Sequence, residues 1–142
     1  MNLQGPILVI EDDQDDQQIL RLVFQELQYP NEILFFDDGE IAFKYLSTTA
    51  KEPFLIFSDI NMPKLNGLQL RAKIVADLSV HLLTPFLFLT TSNNEGNVLE
   101  AYAKCAQGYF LKPNSYSEIK EMIRSIIDYW QKCVLPNSLC EL

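Results

Sequence analysis

Glu11-Asp12-Asp13, Asp59, Thr90 and Lys112 each stand at or just past the end of a short apolar run. Together they form a set suited to divalent-metal and phosphoryl chemistry. The runs are Ile7-Leu8-Val9-Ile10, Phe54-Leu55-Ile56-Phe57, Phe86-Leu87-Phe88-Leu89 and Tyr109-Phe110-Leu111, each of a length that a buried strand takes. Polar residues beyond the carboxyl ends of parallel strands share one edge of an open α/β sheet, where such sheets carry their sites. Three converging carboxylates repel one another, so an opposite charge must join them or their proton affinity rises. Magnesium meets that demand, because it takes hard oxygen ligands and keeps several waters when only one or two carboxylates hold it. The single histidine, His81, falls in the connector before the fourth run, and no cysteine accompanies the acids. The donor set therefore does not read as zinc.

The individual residues divide by position. Asp12 with Asp59 reads as the metal-binding pair. Asp13, Asp15 and Asp16 read more simply as solvated acids in the first turn of a helix, where negative charge is favoured. Lys112 precedes Pro113, which restricts its backbone to extended conformations and so fixes the direction of its stem. Its ammonium can pair with Asp59 or with a phosphoryl oxygen. Thr90 sits at the last strand position, placed to bind an oxyanion, while Ser92 or Asn93 reads as a helix N-cap. Tyr109, three residues before Lys112, points to the opposite face of its strand. A half-buried packing ring and a mobile role for it remain equally open, since tyrosine has both a packing ring and a polar tip.

The apolar pattern alternates between short continuous runs and a period near 3.6, as repeated βα units require. Strands fall at about 7–10, 33–36, 54–57, 86–90 and 109–111. The first helix spans about 15–28, with Ile19, Leu20, Val23, Phe24 and Leu27 on one face. A short second helix turns Ile41, Ala42, Tyr45 and Leu46 inward, and a third covers about 67–77. The fourth starts near Asn94, faces inward through Val98, Leu99, Tyr102, Ala103 and Ala106, and is ended by Gly108. The fifth, about 117–132, carries Ile119, Met122, Ile123, Ile126, Ile127 and Trp130 as its apolar stripe. Strands buried on both faces need helices on both sides. Right-handed crossovers then give a doubly wound, flavodoxin-like (βα)5 fold with a five-stranded parallel sheet in the order 2-1-3-4-5. That order brings Glu11 and Asp12 within reach of Asp59.

The 142 residues, 48% apolar and 21% charged, bound this to a single soluble domain with an ordinary core. We assign it to residues 1–132, followed by a tail at 133–142 and no effector domain. The net charge of -8 argues against nucleic acid and anionic membranes as direct partners. Cys105, Cys133 and Cys140 are odd in number and in no metal-ligand spacing, consistent with free thiols in a reducing compartment. Neither a signal peptide nor an apolar stretch long enough to span a bilayer is present, and the expected location is cytoplasmic.

These residues, in this order and after these strands, resemble the receiver domain of two-component response regulators, over about residues 7–131. The matching features are the acidic pair, Asp59-x-x-Met62-Pro63-x-x-x-Gly67, the strand-end Thr90 and Lys112-Pro113. The Glu11-Asp12-Asp13-x-Asp15-Asp16 opening and the Leu89-Thr90-Thr91-Ser92 stretch are similar to stand-alone receivers paired with phytochrome-type kinases. The resemblance implies that Asp59 accepts a phosphoryl group from a histidine kinase or histidine phosphotransfer protein. It implies Mg2+ held by Asp12, Asp59 and the Asn61 backbone carbonyl, with Glu11 acting through water. Lys112 and Thr90 would hold phosphoryl oxygens, Thr90 and Tyr109 would act as the switch, and the Lys112-Pro113 bond would be cis. It further implies a phospho-acceptor signalling protein, with no enzymatic activity beyond its own phosphorylation and dephosphorylation. The surface of helix four, strand five and helix five, with Tyr102, Tyr109 and Tyr116, would bind a downstream protein or a second copy. Two rival readings carry different signatures. A dehalogenase-type aspartyl-phosphate phosphatase needs a second aspartate where this chain has Asn61. A pseudo-receiver that binds without phosphorylation would have lost an acid, Thr90 or Lys112.

Overall fold

A computed structural model describes residues 2–78, 81 and 83–134 of the chain. Strands and helices alternate along it: β1 Ile7–Ile10, α1 Gln14–Leu27, β2 Ile33–Phe36, α2 Gly39–Thr48, β3 Leu55–Ser58, α3 Gly67–Asp77, β4 Phe86–Thr90, α4 Glu95–Ala103, β5 Gly108–Leu111 and α5 Tyr116–Gln131. All strand pairs are parallel, in the order β2-β1-β3-β4-β5. This is the doubly wound arrangement expected from the sequence. Of the proposed tail, only Cys133 and Val134 fall among the described residues.

The continuous apolar runs have a direct cause. Alternate residues of each central strand enter different cores, so both faces are apolar until the last strand position, where Ser58 and Thr90 stand. Ile7, Val9, Phe57, Leu87 and Leu89 pack with Leu20, Val23 and Phe24 of α1 and with Ile123, Ile126 and Ile127 of α5. Leu8, Ile10, Ile56, Phe86 and Phe88 pack on the other side, against Leu46 of α2, Leu70 and Ile74 of α3 and Ala101 of α4. Each helix starts on a side chain that accepts a first-turn N–H: Asp13, Asp38, Asn66, Asn94 and Ser115 in chain order. The cap of α4 is therefore Asn94 and not Ser92 or Asn93. Ser92 instead accepts a hydrogen bond at Oγ from Asn97 Nδ2 at 3.0 Å.

Helix α4 departs from expectation in two further ways. Its buried face centres on Ala101, with Val98 half-buried one turn earlier. At 100° per residue this turns Leu99 and Tyr102 outward, and they are 68% and 52% exposed. The helix also stops before Gly108. Arg71, fully buried on α3, donates from Nε to the Lys104 carbonyl at 3.1 Å and from Nη2 to the Cys105 carbonyl at 2.8 Å. Those carbonyls would otherwise be orphaned at the helix end. Cys105 takes the left-handed turn, with φ 64°, and Gly108 opens β5. Gly108 is needed for space rather than for φ, because a Cβ there would lie 2.8 Å from the Phe110 ring. On α2, Ile41 is likewise exposed and not inward.

Gly67 begins α3 directly beneath the β3 carboxyl end. Its N–H donates to the Ile60 carbonyl at 2.9 Å, and an added Cβ would meet the Asp59 carbonyl oxygen at 2.1 Å. Backbone cannot yield there as a side-chain tip would. Gly67→Ala is accordingly expected to lower the unfolding free energy by about 3 kcal/mol in urea titrations. A loss below about 0.5 kcal/mol would show that the Asp59 segment is not held as described.

Candidate functional site

The backbone ladder runs one residue past each strand and so fixes the functional residues. Glu11 N donates to the Phe36 carbonyl at 3.0 Å, Asp59 N to the Ile10 carbonyl at 3.0 Å, and Lys112 N to the Thr90 carbonyl at 2.8 Å. Because Ile10 pairs with Ser58 and Thr90 with Leu111, the next residues on neighbouring strands stand side by side. Carboxylate oxygens of Glu11, Asp12 and Asp59 all lie within 4.8 Å of one another. Lys112 Nζ donates to Glu11 Oε1, to Asp16 Oδ2 at 2.8 Å and to Asp59 Oδ2 at 3.3 Å. The other Asp59 oxygen accepts the Ile60 N–H at 2.7 Å. A narrow cleft beneath is lined by Glu11, Ser58, Asp59, Leu89 and Lys112.

The charges do not balance. One ammonium faces three carboxylates directly, and Asp12 is a fourth acid beside them. Burial pushes the Glu11 carboxyl up to about 7; the hydrogen bond from Lys112 lowers it, and the charge of Asp59 raises it again. Burial alone would weaken the Lys112 ammonium, yet Asp16, Glu11 and Asp59 together hold it firmly protonated and raise its pKa. The acids thus stabilise the lysine more than the lysine can compensate them. Such an oxygen-rich, under-neutralised cluster fits a hard divalent cation.

Thr90 is fully buried, and its Oγ1 accepts the Ser92 N–H at 3.3 Å. Tyr109 donates its hydroxyl to the Ser92 carbonyl at 2.6 Å, with its half-buried ring 6.0 Å from that of Phe88. Both residues are therefore tied to the same β4–α4 turn. Asn61 is exposed in the loop after Asp59. His81 is buried away from the acids, its Nε2 2.9 Å from the Leu46 carbonyl on α2.

Three expectations are corrected. The Lys112-Pro113 bond is trans, as are the other described peptide bonds. The trans form is intrinsically preferred before proline, and Lys112 makes its Thr90 bond and all three carboxylate contacts in it. Tyr116 does not join Tyr102 on the outer face of α4 and β5, because its hydroxyl donates to Glu26 on α1 at 2.8 Å. Leu99, Tyr102 and Leu111 are the large exposed apolar side chains of α4 and β5, and Ala103, expected to face inward, is exposed beside them.

Asp16 is the third correction. It is not a solvated first-turn acid but a direct partner of Lys112. The pattern held a signal for it: Asp16 lies one turn before Leu20 and two before Val23, on the stripe that α1 buries. Asp13, by contrast, behaves as read, accepting at Oδ1 from Asp15 N at 2.9 Å and Asp16 N at 3.0 Å.

A five-stranded parallel sheet carrying an acid trio and a lysine at its carboxyl edge places the chain among doubly wound α/β proteins with a site suited to a hard cation and an oxyanion. Residues 7–124 match the family model described as the response regulator receiver domain, and the chain belongs to that family. It is 27% identical over 133 residues to response regulator Rcp1 of Synechocystis sp., covering 90% of each chain. The Mn2+-bound structure of Rcp1 superposes with a TM-score of 0.80 at 27% identity, over 94% of this chain and 99% of that one. The phosphorylated cyanobacterial phytochrome response regulator RcpA gives a TM-score of 0.83, also at 27% identity, over 94% and 98%. No helix among the described residues is long and apolar enough to cross a membrane.

Between the ordinary carboxyl value of 4.5 and about 7, the folded chain holds a proton on Glu11 that the unfolded chain has released. Stability from this group therefore falls as pH rises through that window. Measured against Glu11→Gln without metal, the parent is expected to lose about 2 kcal/mol of unfolding free energy between roughly pH 5 and pH 8. A difference that stays flat across that range in urea titrations would contradict the charge balance described.

Proposed function

We propose that the chain is a phospho-acceptor signalling protein in which Asp59 takes a phosphoryl group from a histidine kinase or histidine phosphotransfer protein. The observation that carries this reading is the Asp59 carboxylate, anchored by one oxygen to the backbone and approached at the other by Lys112. An Asp59 oxygen attacks the phosphorus in line, and the bond from phosphorus to the donor imidazole nitrogen breaks. The electron pair leaves with the imidazole, which takes up a proton, and an acyl phosphate forms on Asp59. Transfers of this kind depend on positioning and electrostatics, with little covalent work left for other groups.

Asp12, Asp59 and the Asn61 carbonyl would hold Mg2+ directly, with Glu11 one water further out. Bound there, the cation would supply the positive charge that the acids lack and that the incoming phosphoryl oxygens need. Lys112 and the Thr90 hydroxyl receive those oxygens. To reach them Thr90 gives up the Ser92 N–H, and Tyr109, bonded to the carbonyl of the same Ser92, is freed to repack. The outcome is a shift between two packings of α4, β5 and α5, sized by the difference in phosphoryl contacts between them. The exposed Leu99, Tyr102 and Leu111 mark where a protein target or a second copy would read it. The working unit is residues 1–132, acting in the cytoplasm without nucleic acid or membrane, and its only chemistry is its own phosphorylation and dephosphorylation.

Incubation with acetyl phosphate and Mg2+ is expected to add one phosphoryl group by intact mass. Asp59→Asn or removal of the metal by chelator is expected to abolish the addition. An unchanged mass for the parent would instead point to a binding module that works without phosphorylation.

A further inference from the structure

Lys112 has three donors, and three carboxylates occupy them. Glu11 and Asp59 also belong to the acid trio that fits a cation, whereas Asp16 stands outside it. Asp16 projects from the first turn of α1, and it lines a small cavity together with Lys112, Ile19, Leu20, Leu89 and Ile119. The lysine side chain is 11% exposed and that of Asp16 36%, so the pair is partly shielded, more than an ordinary surface ion pair.

We infer that Asp16 is a positioning residue for phosphoryl transfer: with Glu11 it holds the Lys112 ammonium from two sides, leaving the third donor aimed at Asp59. The inference rests on the phospho-acceptor reading above. The Asp59 contact is the longest of the three, at 3.3 Å against 2.8 Å for Asp16. Formation of the acyl phosphate takes the negative charge from the Asp59 carboxylate, and a phosphoryl oxygen replaces it at the third donor. The bonds to Glu11 and Asp16 need not break, so the lysine meets the phosphoryl group without reorganising. Without Asp16, the ammonium closes on Glu11 and Asp59, shortening its contact with the nucleophile and leaving the position the phosphoryl oxygens will occupy.

The test uses the intact chain with acetyl phosphate as donor. Asp16→Ala is expected to lower the phosphorylation rate at saturating donor and Mg2+ by about tenfold, the scale of losing one orienting partner. The donor KM and the Mg2+ affinity are expected to stay within about twofold of the parent, and Asp16→Glu to recover most of the rate. Asp16→Asn, which keeps shape and an acceptor but not charge, is expected to fall between; it serves if the alanine variant does not fold. In the metal-free protein, the Lys112 side-chain 15Nζ resonance is expected to shift in Asp16→Asn. A saturating rate within twofold of the parent, a fall in Mg2+ affinity as large as the fall in rate, or an unmoved Lys112 resonance would each overturn the inference alone. A parent chain that acetyl phosphate never modifies would overturn the phospho-acceptor reading and this inference with it.

Discussion

A single ammonium, that of Lys112, is shared among Glu11, Asp16 and Asp59 at the carboxyl edge of the sheet. The rest of the structure can be understood as what makes this sharing necessary and possible. Glu11 is almost fully buried, and its carboxyl is raised because neither water nor the lysine compensates it completely. A site left short of positive charge has affinity for cations and for chemistry that builds up negative charge only when a cation is present. The same shortage keeps Lys112 protonated in surroundings that would otherwise favour its neutral form.

Bringing the acids and the lysine together requires strands that are not neighbours in sequence to be neighbours in space. The β2-β1-β3-β4-β5 order sets Glu11 beside Asp59, and Thr90 between Asp59 and Lys112. Two cores, one under α1 and α5 and one under α2, α3 and α4, hold the sheet rigid from both sides. At the β4–α4 turn, Ser92 joins Thr90 and Tyr109 by backbone bonds at its N–H and its carbonyl. The turn's own polar contacts, rather than core packing, hold it in place. Arg71 anchors the far end of α4 through the Lys104 and Cys105 carbonyls.

Much of this was legible in the sequence for a physical reason. Strands buried on both faces leave unbroken apolar runs, and the residue after each run must sit at the sheet edge whatever the helices do. Strand limits to within one residue, sheet order and the positions of Glu11, Asp12, Asp59, Thr90 and Lys112 follow from that. What was not legible depended on partners distant in sequence. The end of α4 is set by an arginine 33 residues upstream, and no local pattern around Gly108 reveals it. The phase of α4 rests on a single alanine, while the bulkier Leu99 and Tyr102 lie outside. Asp16 satisfied a local rule, an acid in a helix's first turn, that concealed its role across the site. Its place on the buried stripe of α1 was the clue.

The claim that one lysine under-neutralises this site is tested most directly by calorimetric titration of the metal-free chain with Mg2+ across neutral pH. One cation per chain is expected, with an affinity that rises with pH as Glu11 gives up its proton. In Glu11→Gln that pH dependence is expected to disappear. Failure of the parent to bind Mg2+, or binding that ignores pH across the Glu11 range, would contradict it.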